Sequence, residues 1–111
     1  MFVVFLQFAV DLFSLLLRYD TLEGAGFQAA IPGQVFDVLN RDFGANLELF
    51  ASPLNSRYGR FCSAFPDVDS PFGSIGTAWS FRPISGSFEA NPPFADSVIK
   101  KMAEHLGELL R

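Results

Sequence analysis

The sequence predicts an α/β fold, and three observations lead there. Apolar residues recur at helical spacing early, in the middle and at the end of the chain; short apolar runs bounded by turn residues lie between them; and half of the 111 residues are apolar with only 18% charged. A mean hydropathy of +0.27 excludes disorder as the state of the whole chain. The length suits one domain or a piece of a larger one, and the strands are too few for a complete doubly wound sheet.

The first element is the apolar run MFVVFLQFAVDLFSLLL at residues 1–17, read as a helix over residues 1–20 that is buried on most sides. No basic residue precedes Arg18 and no small-residue cleavage site follows, which argues against a signal peptide. Asp11 in its middle and a length just short of a bilayer span argue against a membrane helix. Gly24 and Gly26 break it. A second helix starts at Ile31-Pro32-Gly33, repeats Val35, Phe36, Val38 and Leu39 at helical spacing, and stops at Gly44. LELFA (47–51) alternates as a strand, and Ser52-Pro53-Leu54-Asn55 is the loop leaving it. A third helix over 56–65 places Tyr58, Phe61, Cys62 and Phe65 on one side. After the turn-rich stretch 66–76, residues 79–82 and 85–90 read as two short strands around Pro83. The closing helix begins at Asp96 or Ser97, either of which can cap it, and carries Val98, Ile99, Met102, Leu106, Leu109 and Leu110 as its apolar face.

Composition narrows the chemistry. Twelve carboxylates against eight basic residues give a net charge of −4, a poor balance for holding a nucleic-acid backbone by charge alone. One cysteine, Cys62, excludes an internal disulfide and a multi-cysteine zinc site, and one histidine, His105, excludes a paired-histidine metal site. No metal is expected, and the setting reads as reduced and intracellular.

The chemistry-bearing stretch is SGSFEANPPF (85–94), at the end of a strand and before a helix. Open α/β sheets bind ligands at such carboxyl ends. Asn91-Pro92-Pro93-Phe94 resembles the signature of enzymes that methylate exocyclic amines of nucleobases. The amine of adenine is a weak nucleophile because its lone pair is delocalised into the ring. An Asn side-chain oxygen and a backbone carbonyl can each accept one of its N–H bonds, localising that pair as the methyl group approaches. Pro92 and Pro93 fix their own φ, remove two competing donors and hold the preceding residues extended. Phe94 can stack on the base. Methyl transfer then needs in-line positioning more than a side-chain nucleophile. The bland alternative is a rigid strand-to-helix connector with Phe94 plugging the core.

Four stretches carry a wider resemblance: LLLRYDTLEGAGFQAAIP (15–32), ELFASPLN (48–55), FCSAFPDVDSPFGSIG (61–76) and SGSFEANPPF (85–94). In this order they are similar to the methyltransferase core of the phosphorylated-CTD-interacting factor family, enzymes that methylate N6 of the 2′-O-methyladenosine beside the messenger-RNA cap. The resemblance implies an incomplete Rossmann-like, S-adenosylmethionine-dependent core. Residues 1–111 would be part of one truncated methyltransferase domain, with the cofactor and catalytic segments in 47–94 and a closing helix over 96–111. It implies Asn91, Pro92, Pro93 and Phe94 as catalytic residues. Phe50, Ala51, Ser52, Pro53, Asn55, Asn91, Phe94 and Ala95 would hold S-adenosylmethionine, while Phe94 and Asp96 meet the substrate. Asp96 reads equally as a helix cap, and Asn55 as a plain turn residue. Capped RNA beginning with adenosine is the implied partner, and the nucleus the implied location.

Family enzymes are several times longer, and one tryptophan, Trp79, stands where a WW module needs a pair. Contact with the phosphorylated tail of RNA polymerase II is therefore expected only of a full-length parent. The isolated chain is expected to be inactive. Two other readings stand beside the enzyme fragment: a truncated homologue acting as a binding or scaffold module without turnover, and a small protein anchored in a membrane by residues 1–17. Cys62 is expected to be a packed thiol and His105 a partly buried surface residue. For the enzyme reading, 47–51 and 87–90 must lie in one sheet with Asn55 and Asn91 at the same edge.

Overall fold

The N-terminal run folds as helix α1, Phe2–Asp20, in a computed structural model that describes residues 2–20 and 31–111. The expected helix break at Gly24 and Gly26 lies outside the described residues. Among the described residues, burial on most sides of α1 is not found: Phe5 and Phe13 are 68% and 67% exposed, whereas Leu15 is 1% exposed. The physical reason is that, among the described residues, α1 is met mainly along one side, by the short helix α3, Pro66–Asp69, and the 3₁₀ turn Ser70–Phe72. Phe8 meets Phe72 edge-on with ring centroids 6.2 Å apart, and Tyr19 meets Phe65 at 5.6 Å. The Arg18 guanidinium lies 2.9 Å from Asp67 and over the Phe65 ring. Among the described residues, no helix is long and apolar enough to cross a membrane.

Because Leu15 is the one fully buried side chain described in α1, Leu15→Ala should loosen this helix without unfolding the rest. Hydrogen exchange is expected to show α1 amides losing protection while those of residues 47–62 keep theirs.

Helix α2, Gly33–Phe43, begins after Pro32 and ends as the spacing predicts. Gly44 takes φ +72°, the left-handed conformation that closes helices, and its N–H donates to the Asn40 carbonyl at 3.0 Å. Its buried Phe36 packs edge-on against Tyr58, whose hydroxyl donates to the Phe36 carbonyl at 2.8 Å.

The middle of the chain departs from the expected third helix over 56–65, which does not form. The N–H groups of Arg57 and Tyr58 are taken by the Glu48 carboxylate, and Phe61 and Cys62 pair sideways with neighbouring extended backbone. A loop followed by a buried extended segment thus mimicked helical spacing. The expected strand over 79–82 is replaced by a 3₁₀ turn, Ala78–Ser80, with Thr77 Oγ1 accepting from the Ser80 N–H.

Extended pairing survives as three isolated parallel bridges: Glu48 with Phe61, Phe61 with Ser74, and Glu48 with Glu89. Four segments therefore lie side by side in the order 89, 48, 61, 74, all running the same way. From the first segment in the chain, at Glu48, the chain proceeds through 61 and 74 to one side and returns at 89 on the other. Backbone bonds from Leu49 N–H to the Glu89 carbonyl, 2.9 Å, and from Glu89 N–H to the Leu47 carbonyl, 3.0 Å, fix that last pairing.

Residues alternate across this array. Leu47, Leu49, Cys62 and Ala78 form the buried cluster, with Phe88, Ala90 and Leu106 packed against it. Glu48, Phe61, Ser74 and Glu89 share the paired positions, and all four are buried. Helix α4, Asp96–Leu109, brings Leu106 and buried His105 to the cluster. Ala95, not Asp96 or Ser97, occupies its N-cap, without a side-chain bond. Asp96 instead sits in the first turn, where a carboxylate suits the helix dipole.

Candidate functional site

A cavity of about 640 Å³ opens at the carboxyl ends of the first two extended segments. That volume lies within the range of small-molecule sites. Leu49, Phe50 and Trp79 give it an apolar wall, with Phe50 and Trp79 edge-on at 5.5 Å. Ser52, Asn55 and Thr77 supply polar groups. Pro93 and Val98 close one side, and Tyr19 from the end of α1 reaches another.

The loop after the first segment is a tight turn held by its own side chains. Asn55 Oδ1 accepts from the Ser52 N–H at 2.8 Å, and the Asn55 and Ser56 N–H groups donate to the Ser52 carbonyl. Asn55 thereby commits its oxygen to the turn, as the turn reading expects, while still lining the cavity. Of the residues singled out for the cofactor, Phe50, Ala51, Ser52 and Asn55 line it; Pro53, Asn91, Phe94 and Ala95 do not. In the Asn-Pro-Pro-Phe stretch, only Pro93 reaches the wall. Pro92 is buried, Asn91 is half-buried, and Phe94 is 60% exposed, so Phe94 does not plug the core. The Ala95 N–H donates to the Pro93 carbonyl at 2.8 Å, which folds the motif into the start of α4. Asp96 is exposed beside it. Asn55 and Asn91 both follow the carboxyl ends of segments that pair directly and in parallel.

Three participants were not singled out from sequence. Tyr19 lines the cavity and donates its hydroxyl to the fully buried Asp69. Burial first, and then Asp69, push its phenol above the ordinary range. Trp79 lines the cavity while Lys101 lies over its ring and His105 meets its edge. His105 is more buried than expected, with Arg82 Nη1 2.9 Å from its Nδ1. Glu48 is the third: its Oε2 accepts from both Arg57 and Tyr58 N–H at 2.9 Å. A carboxylate between two leucines in an apolar strand was the available signal. On the neighbouring segment, burial and then Glu48 push the Glu89 carboxyl up to about 7.

Cys62 is fully buried, and burial raises its thiol to about 11. Native protein at pH 7.5 is expected to resist maleimide modification, with labelling complete only in denaturant. Among the described residues, no group of three or more His, Cys, Asp or Glu is placed to hold a metal ion.

Comparison with known proteins adds the relationship. Residues 4–111 match the family model described as the phosphorylated CTD interacting factor 1 WW domain. The chain belongs to that family. Over 112 aligned positions it is 46% identical to proteins from Mus musculus and Homo sapiens, each named mRNA (2'-O-methyladenosine-N(6)-)-methyltransferase. Each alignment covers 96% of this chain and 16% of the relative's length. The family match takes in all the cavity-lining residues just described and the whole Asn-Pro-Pro-Phe motif.

Proposed function

We propose that this family segment supplies the donor pocket and catalytic edge of an S-adenosylmethionine-dependent methyltransferase. In a full-length protein it would act on N6 of the cap-adjacent 2′-O-methyladenosine of messenger RNA, in the nucleus. The fold proposed is an incomplete Rossmann-like core. One observation carries the reading: in the parallel order 89, 48, 61, 74 of the bridged extended segments, the chain's path reverses at the first segment, and the cavity lies at its carboxyl end. Open α/β sheets bind ligands at that kind of switch point. Parallel pairing and a single tryptophan also favour a methyltransferase core over a peptide-binding WW module.

The cavity residues fit such a donor. Leu49, Phe50 and Trp79 offer apolar surface for an adenine ring, and Ser52 and Thr77 offer hydroxyls for a ribose or an amino-acid end. S-adenosylmethionine, when bound, supplies an electrophilic methyl group on sulfonium. The chain's own contribution is positioning. Asn91 accepts one N–H of the substrate amine and a neighbouring backbone carbonyl accepts the other. Pro92 and Pro93 keep that acceptor pair from relaxing. The exposed ring of Phe94 is open for a base to stack on, which is worth about 1–3 kcal/mol. Contacts to cap phosphates and to the polymerase tail belong, on this reading, to other parts of a full-length protein.

The test is methyl transfer from radiolabelled donor to capped and uncapped RNA starting with adenosine. A full-length family member carrying this segment should label the capped RNA preferentially, while the 111-residue chain should label neither. Turnover by the isolated chain would overturn the fragment reading.

A further inference from the structure

We propose that Glu89 is a positioning residue for methyl transfer, acting with Glu48 to hold the Asn91 end of the fourth extended segment against the Ser52–Asn55 end of the first. The inference rests on the methyltransferase reading for its effect on rate, but its structural half stands on the pairing alone.

The two segments that present Asn55 and Asn91 meet at a single bridge, Glu48 with Glu89. Two backbone bonds join that junction: the Leu49 N–H donates to the Glu89 carbonyl, and the Glu89 N–H donates to the Leu47 carbonyl. Paired residues on neighbouring segments point the same way, and segments lie about 4.8 Å apart, so the two carboxyl groups stand side by side. Both are buried, at 4% and 8% exposure. Glu48 faces the loop and accepts two backbone N–H bonds there. Glu89 Oε1 is buried with no partner. An ionised carboxylate is an acceptor only, whereas a protonated one has an O–H to donate. The buried, unpartnered oxygen therefore suits a neutral, protonated Glu89 beside the Glu48 carboxylate. Burial and Glu48 raise Glu89 to about 7, in the same sense.

Among the described residues, Tyr58, Arg57 and Asp37 are the other charged or titratable groups beside this pair. Tyr58 has its phenol raised by burial and by both carboxylates, while Arg57 and Asp37 pair with each other at 2.8 Å on the exposed rim. Residue 91 falls on the same side of the segment as residue 89, two positions on. A change in how Glu89 sits against Glu48 is thus passed along one short stretch of backbone to the amide that receives the substrate amine.

The sign follows directly. A carboxyl raised from 4.5 to about 7 contributes stability that is complete below pH 4.5 and is lost as pH rises through 7. Above that, two carboxylates in register repel and the junction loosens.

Two measurements test this. In the 111-residue chain, thermal unfolding followed by circular dichroism should show the midpoint falling between about pH 5 and pH 8, most of it by pH 7. In Glu89→Gln that fall should be largely removed, because the amide can donate but does not titrate in this range. In a full-length family member, kcat of the wild type should drop several-fold across the same interval. Glu89→Gln should flatten that drop while keeping the pH 6 rate within about threefold, and Glu89→Ala should lower kcat at least tenfold with donor KM little changed. A Glu89→Gln chain whose midpoint falls as steeply as wild type overturns the carboxyl pairing. A flattened midpoint with an unchanged alkaline loss of kcat overturns the positioning role alone. Absence of transfer from the wild-type full-length protein, with the midpoint behaviour as expected, instead sinks the methyltransferase reading and with it Glu89's effect on rate.

Discussion

Asn91→Ala in a full-length family member is expected to lower kcat for capped RNA by at least 10²–10³-fold, the cost of removing one preorganised group that acts on developing charge. On the proposed function the Asn oxygen would stabilise the amine mainly as its lone pair localises, so the expected loss belongs to the transition state and should appear in kcat more than in KM. Donor binding should weaken but remain measurable, because Asn91 is outside the cavity wall formed by Phe50, Ser52, Thr77 and Trp79. Phe94→Ala in the same protein should raise the RNA KM as well, since stacking acts on the bound base before reaction. Single-turnover kinetics with saturating donor separates these effects. Wild-type transfer by Asn91→Ala would refute the assignment of the motif.

Gly73→Ala is expected to be the most damaging small substitution for the fold. Gly73 takes φ +116° where it ends the 3₁₀ turn, a conformation that side-chain-bearing residues rarely adopt. A Cβ there would also overlap the Gly59 carbonyl oxygen and press on the Phe61 ring at 3.2 Å. Its carbonyl accepts the Phe61 N–H, so relief by moving the backbone breaks the pairing of the second and third segments. About 1–2 kcal/mol for the left-handed backbone and about 1–3 for overpacking together make roughly 2–5 kcal/mol. Urea unfolding should show the midpoint falling sharply. Gly59→Ala, at a position with open space around its Cβ, is the control and should change little.

How much of this was legible in the sequence depended on what fixed each element. The second helix was readable because Pro32 and Gly44 are local signals that no tertiary contact has to override. The last helix was readable to within two residues, starting at Asp96 but ending at Leu109, and its cap differed. Residues 56–65 were misread because Tyr58, Phe61, Cys62 and Phe65 satisfy helical spacing, while the decisive bonds come from Glu48 and Gly73, distant in sequence. Trp79 was misread as strand because aromatic content suggests a pleated surface, whereas Thr77 closes a turn locally. For the candidate site, the ELFASPLN loop was found at the cavity. Its tyrosine and tryptophan were not: Tyr19 lies in a matching stretch to which no role was attached, and Trp79 lies outside all four stretches. Exposure of α1 could not be read at all, because hydropathy records what a helix can bury and not what is there to cover it.

The side-by-side order of the extended segments also has a kinetic side. Glu48 and Phe61 are 13 positions apart, as are Phe61 and Ser74, but Glu48 and Glu89 are 41 apart. Lengthening the closed loop from 13 to 41 residues adds about 1 kcal/mol of entropy cost before the contact is made. The near pairings are therefore expected to form early, with the junction that brings the two asparagine loops together forming last. Substitutions at Leu47 or Phe88 that weaken that junction should then speed unfolding while leaving the folding rate almost unchanged. A small molecule bridging the two loops should do the reverse, acting as a brake on the first step by which the chain comes apart.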